Sequence, residues 1–187
     1  MMRKLTRTPT KYPISHERIS FAFRGKIIDS KDLQSHDFLN QKVTIIGADQ
    51  FTVSQLSLIC KVATSVTVFQ IKPEYILPKT EKIFQRLLHP LLIKQQKFLS
   101  QRIKSIISLR FLEAKVFNLW LKSQLIPNIA NTPKRFLKSD DYYTALQEKN
   151  CQLITWPIKD ILSNAIITLN GTTYPTDIII LTDYKSD

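Results

Sequence analysis

The chain has 187 residues, 43% of them hydrophobic, enough for one ordinary core in a single domain. Lys and Arg number 27 against 15 Asp and Glu, a net charge of +12, which favours anionic partners without specifying one. The only cysteines, Cys60 and Cys151, make neither a disulfide framework nor a C-x-x-C motif, so a reduced, cytoplasmic protein is predicted.

Residues 1–40 read as an irregular N-terminal segment with one short apolar run, Ile19 to Ile28. The basic start, Met1-Met2-Arg3-Lys4, leads into no apolar stretch, so no secretory signal is predicted. Residues 41–187 read as one Rossmann-like domain. Val43-Thr44-Ile45-Ile46 predicts a strand closed by Gly47, a helix follows through Cys60 or Ala63, and Ser65 to Phe69 predicts a second strand ended by Lys72-Pro73. Thr52 with Gln55 predicts the helix's capping box. Cys60 shares an apolar helix face with Leu56 and Ile59 and reads as a buried, inert thiol.

From about residue 80 to 125 the period becomes helical, through Phe84, Leu87, Leu88, Leu91 and Leu92, then Ile103, Ile106, Ile107 and Phe111. Pro90 predicts a break. Lys94, Lys97, Arg102, Lys104 and Arg110 lie between the apolar positions, so two or three amphipathic helices are predicted, with no membrane span. Pro127 to Pro133 predicts a loop, and Asp140 to Glu148 a short helix whose two leading acids read as caps. Strands follow at Gln152–Thr155, Ile158–Leu162, Ala165–Leu169 and Asp177–Thr182, with a two-residue turn at Asn170-Gly171. Ile178 to Leu181 does not alternate, which predicts burial on both faces of a parallel sheet. The predicted class is α/β: a Rossmann-like parallel sheet, a helical insertion and a C-terminal β-meander.

His16, His36 and His89 lack ligand spacing, so no metal site is predicted, and no G-x-S-x-G occurs. A dinucleotide turn reads G-x-G-x-x-G/A; here it reads Gly47-Ala48-Asp49-Gln50-Phe51-Thr52. The second glycine lets a pyrophosphate approach the backbone at the positive end of the helix. Asp49 in its place adds a side chain and a negative charge, and one like charge at about 4 Å costs about 1 kcal/mol in water and about 4 in a partly shielded site.

A longer pattern resembles the NADPH-binding stretch of Baeyer–Villiger-type flavin monooxygenases. It runs from Lys42 to Pro78 and includes Val66-Thr67-Val68-Phe69-Gln70-Ile71-Lys72-Pro73-Glu74-Tyr75-Ile76-Leu77-Pro78. Phe23 and Gly25 match the family's F-x-G-x-x-x-H-x-x-x-W fingerprint, with Asp29 at the histidine place and Leu33 at the tryptophan place. Lys134 to Leu146 and Ile179 to Tyr184 resemble two further segments, the latter with Asp183 where the family has glycine.

The resemblance implies NADPH as cofactor, held by Gly47, Ala48, Gln50, Thr52, Gln70, Lys72 and Lys134, with Arg135 in the catalytic role. The family arginine that reads the 2′-phosphate falls at Ile71, beside Lys72. FAD is implied by the family, but no flavin-binding fingerprint precedes Phe23. An incomplete oxidoreductase with weak cofactor binding and no turnover alone is therefore expected, its FAD-binding chain or segment encoded nearby. The residues also accommodate a non-catalytic remnant, or a basic module contacting anionic surfaces through the 80–125 helices. No specific nucleic-acid partner is predicted.

Overall fold

The computed structural model describes residues 22–79, 100–128 and 133–182. Residues 1–21, the Phe84 to Leu92 spacing with its break at Pro90, Lys94, Lys97, Asn131, Asp183 and Tyr184 lie outside them. Among the described residues ten strands follow in chain order: β1 Lys26–Asp29, β2 Lys42–Ile46, β3 Ser65–Phe69, β4 Tyr75–Leu77, β5 Phe136–Lys138, β6 Cys151–Ile154, β7 Ile158–Ile161, β8 Ala165–Thr168, β9 Thr173–Pro175 and β10 Ile178–Leu181. The helices among the described residues are α1 Gln50–Val62, α2 Gln101–Lys115, α3 Leu119–Gln124 and α4 Tyr142–Ala145, with a 3-10 helix at Ser30–Ser35.

Five strands form one parallel sheet in the order β1-β10-β2-β3-β6. The β2–α1–β3 crossover is the unit expected from sequence. β10 is the central strand of the first three, pairing Ile178 with both Lys26 and Val43. All four of its side chains are buried, and they alternate by the strand period of two. Ile178 and Ile180 enter the larger core with Val43, Val66, Leu56 and Phe111, while Ile179 and Leu181 enter a second core with Phe69, Ile158 and Ile166. A strand with no solvated face has no reason to alternate polarity, and each such isoleucine contributes about 1.5–3 kcal/mol by leaving water. Asp177 sets the register: its amide donates to the Lys42 carbonyl at 2.8 Å and its carboxylate accepts the Lys42 amide at 2.8 Å.

The second core lies beneath the antiparallel sheet β7-β8-β9, which is the expected meander. Its β8–β9 turn differs from the expected two-residue form. The Gly171 amide donates to the Thr168 carbonyl at 2.9 Å and the Thr168 amide to the Thr172 carbonyl at 3.0 Å. Gly171 alone of the pair is left-handed, at φ 86°, so the loop is a wider turn closed by one glycine, whereas a type I′ turn needs both central residues at positive φ.

Of the helical insertion, the described residues contain α2 and α3. Ser100 caps α2 by accepting the Ile103 amide at 3.4 Å, and Asn118 caps α3 by accepting the Leu121 amide at 3.0 Å. α2 buries Ile107, Phe111 and Leu112, and Phe111 packs on Tyr143 with ring centroids 5.5 Å apart. β4 and β5 pair in parallel as a separate two-stranded ribbon.

Three local expectations are corrected. β1, which falls in the predicted N-terminal segment, is an edge strand of the main sheet. The helix predicted over Asp140 to Glu148 is only Tyr142–Ala145, and Asp141 makes no side-chain cap. Ser139 serves instead, its hydroxyl accepting the Tyr142 amide at 3.1 Å, while Asp140 accepts the Lys79 amide at 2.8 Å. The capping box of α1 belongs to Asp49 and Thr52, not to Thr52 and Gln55.

Candidate functional site

The carboxyl ends of β2, β3 and β10 meet at Gly47, Gln70 and Thr182, the edge where open parallel sheets present their ligand crevice. Gly47 lies at φ 94°. A Cβ on it would collide with the Thr182 hydroxyl, which donates to the Ile46 carbonyl at 3.0 Å. The glycine is thus required by contact within the chain itself. Ala48 is buried in the larger core.

Asp49 is where sequence and structure part. Its side chain does not project toward a phosphate; it is 3% exposed. One carboxylate oxygen accepts the Thr52 amide at 2.8 Å and lies 3.0 Å from the Thr52 hydroxyl. The other accepts the Ser30 hydroxyl, and the Asp49 amide donates to the Thr52 hydroxyl at 3.0 Å. The first orphan amides of a helix are its anion-binding pole. Here the chain supplies the anion. A pyrophosphate at this pole would have to displace a buried, hydrogen-bonded carboxylate, so the residues present do not fit that group.

The remaining sequence-predicted positions divide into two sets. Gln50 and Gln70 have structural duties. The Gln50 side chain accepts the Lys138 amide at 2.9 Å and donates to the Lys138 carbonyl at 2.9 Å, tying β5 to the start of α1. Gln70 is 3% exposed and accepts the Tyr142 hydroxyl at 2.6 Å. Burial pushes that hydroxyl far above its ordinary range, so it remains a donor.

Lys72, Lys134 and Arg135 are the cationic set; the Glu74 carboxyl feels Arg135 and Lys72. Lys134 Nζ donates to the Ser105 hydroxyl at 3.2 Å and sits 5.4 Å from the centre of the Tyr75 ring. The Tyr75 hydroxyl is buried and has no hydrogen-bond partner among the described residues. Through the Gln50–Lys138 pair, the strand that follows Lys134 and Arg135 is fastened to the Gly47 turn. Ile71, 43% exposed, offers no group for a phosphate. Ser30 and Tyr142 were not predicted as site residues. Ser30 lies 19 positions before Asp49, and only the pairing of β1 with β10 brings it there.

Burial raises the Glu74 carboxyl above its ordinary 4.5, while Arg135 and Lys72 oppose the rise. The folded state therefore binds this proton more tightly than the unfolded chain. That contribution is present below the unfolded value and is lost as pH rises from 4.5 through the raised folded value. Glu74→Gln is expected to flatten the fall of the urea midpoint across that window and to leave the variant at least as stable above it. A variant weaker than the parent above the window would show that the two cations outweigh burial.

Among the described residues, no group of three or more His, Cys, Asp or Glu is arranged to hold a metal, and no helix is long and apolar enough to cross a membrane.

A five-stranded parallel sheet with a β2–α1–β3 crossover and a glycine turn at its carboxyl edge defines a Rossmann-type α/β unit. No protein-family model matches the chain. An FAD-binding monooxygenase, ktnD, of Aspergillus niger is 27% identical over 172 residues, covering 78% of this chain and 28% of the relative. A Baeyer–Villiger monooxygenase of Pseudomonas aeruginosa is 24% identical over 182 residues, covering 84% and 34%. An oxidised steroid monooxygenase bound to NADP superposes with a TM-score of 0.68 at 17% identity, covering 94% of this chain and 44% of that one. A cyclohexanone monooxygenase of Rhodococcus sp. Phi1 bound to NADP+ superposes with a TM-score of 0.69 at 12% identity, again covering 94% and 44%. The chain is similar in sequence and fold to Baeyer–Villiger-type flavin monooxygenases, and it spans about a third of the length of the curated relatives it matches.

Proposed function

We propose that this chain is an NADPH-handling part of a flavin-dependent monooxygenase whose phosphate pole has been closed from within, so that it holds NADPH weakly and does not turn over by itself. The observation that carries the reading is the buried Asp49 carboxylate, which caps α1 at the turn of an otherwise regular Rossmann sheet. In this reading Lys72 and Lys134 hold what phosphate affinity remains, and Arg135 takes the place of the family's catalytic arginine. The three glycines, Gly25, Gly47 and Gly171, are too far apart to form any G-x-G pair, so this sequence supplies no turn of that type for a second dinucleotide. FAD would be carried by another segment or chain. The alternative, a non-catalytic remnant, rests on the same Asp49 cap.

A thermal-shift titration separates the two. A ligand bound only by the folded state raises stability by RT ln(1 + [L]/Kd). With Kd on the order of 1 mM, NADPH at about 5 mM adds about 1 kcal/mol, a rise of roughly 2–4 °C. Such a rise with NADPH, and a smaller one with equimolar inorganic phosphate, is expected. No rise with NADPH would leave the remnant reading, and equal rises would indicate anion binding without nucleotide recognition.

A further inference from the structure

We propose that the exposed apolar corner at the start of α3 is a docking surface for an anionic lipid bilayer. Among the described residues the three most exposed large apolar side chains are Phe117 (81%), Leu119 (79%) and Trp120 (60%), and they fall within four consecutive positions. Scattered exposed apolar residues are ordinary on a protein surface, but a contiguous patch marks a place of contact. Ile126, just past the end of α3, is exposed as well. Trp156 comes in from the strand side. The Thr155 hydroxyl donates to the Gln124 side-chain oxygen at 3.0 Å, which sets the next residue, 54% exposed, beside the last residue of α3. Trp120 and Trp156 are the only tryptophans of the chain.

The fold holds these side chains outward. Val116, Leu121 and Leu125, interleaved with them, are buried in the larger core. The Asn118 side chain accepts the Leu121 amide at 3.0 Å and fixes the first turn of the helix. With the inward positions filled, Phe117, Leu119 and Trp120 have no interior to retreat into. A surface arranged in advance loses little conformational freedom on contact.

Charge selects the occupant. Residues 101–124, which contain α2 and α3, carry Arg102, Lys104, Arg110, Lys115 and Lys122 against Glu113 alone, in a chain of net charge +12. Lys115 and Lys122 flank the patch on either side in sequence. The cores of protein–protein interfaces are depleted in lysine. Tryptophan, phenylalanine and leucine beside lysines are the composition of surfaces that rest in the headgroup region, with rings at the acyl boundary and ammonium groups among the phosphates. Each cation near an anionic leaflet adds attraction that salt screens. α3 has six residues, far too few to span a bilayer, so the contact is peripheral.

The test mixes the folded chain, without NADPH, with vesicles of phosphatidylserine and phosphatidylcholine or of phosphatidylcholine alone, and reads co-sedimentation and tryptophan emission. Both tryptophans lie at the patch, so their emission reports on it directly. Co-sedimentation with the anionic vesicles and a blue shift of emission are expected, with loss of both at about 1 M salt, where the screening length falls to about 3 Å. Phosphatidylcholine vesicles alone should retain little. Phe117→Ser combined with Leu119→Ser leaves both reporters in place and should weaken partitioning by about tenfold or more. Lys122→Glu should weaken it by roughly 10- to 30-fold. Circular dichroism checks that both variants fold. Unchanged emission with anionic vesicles, equal binding to the two vesicle types, or undiminished partitioning of the Phe117 and Leu119 double variant would overturn the proposal. So would a blue shift that grows with protein concentration in the absence of lipid, which would assign the patch to a second copy of the chain.

Discussion

Asp49→Gly is expected to tighten NADPH binding by about one to two decades while lowering folding stability by about 1 kcal/mol. Both effects come from one carboxylate. At present it accepts the Thr52 amide and the Ser30 hydroxyl while 3% exposed, so the helix end is satisfied before any ligand arrives. Removing it frees that amide, permits close approach of a pyrophosphate to the backbone, and removes a like charge worth about 1–4 kcal/mol against a phosphate nearby. The cost is a lost cap and a stranded Ser30 hydroxyl. Glycine is itself tolerated at the cap position, which keeps the cost modest. Asp49→Asn separates the contributions: it keeps a good capping group, removes the charge, and should recover only part of the affinity. Isothermal titration of the three folded proteins measures this directly. Unchanged affinity in Asp49→Gly would show that the pole is closed by something other than this side chain.

Gly47→Ala should destabilise the fold by about 2–4 kcal/mol, the larger of the two stability effects. The backbone there lies at φ 94°, beyond the left-handed region that alanine enters with difficulty. A Cβ would also meet the Thr182 hydroxyl, which is engaged with the Ile46 carbonyl. The two costs separate in a double mutant: adding Thr182→Ser keeps the hydroxyl and should rescue little, whereas adding Thr182→Ala removes the colliding oxygen and should rescue the steric part alone. Urea unfolding followed by circular dichroism gives the numbers. A Gly47→Ala variant within about 0.5 kcal/mol of the parent would show that the turn relaxes freely.

The sheet was readable because its signals are local. Val43 to Ile46, Ser65 to Phe69 and Ile178 to Leu181 are runs rich in β-branched residues, the last without alternation and so readable as buried on both faces, and all three entered the parallel sheet. The resemblance carried by Gln70 to Pro78 was likewise local, and the sequence relatives agree with it. The candidate site was only half readable. Asp49 followed three places later by Thr52 is itself a cap signature, but comparison with a glycine turn made the aspartate look like a flaw in a binding loop. The rest depends on partners far off in sequence: Ser30 on Asp49, Tyr142 on Gln70, and the Lys138 backbone on Gln50, which are 19, 72 and 88 positions apart. No local pattern encodes such pairs, because they arise only when β1 joins β10 and the β4–β5 ribbon docks.

The place of β10 has a consequence for biosynthesis. Strands β1 and β2 are never neighbours; each waits for a segment that leaves the ribosome after nearly all the others. Until then a nascent chain holds β2 with a bare hydrogen-bonding edge, and β1 has nothing to pair with, a combination that slows assembly and invites pairing with the wrong strand. The sheet is completed by inserting its keystone after the strands on either side of it, so the facing edges of β1 and β2 stay unpaired until residues 178–181 have emerged.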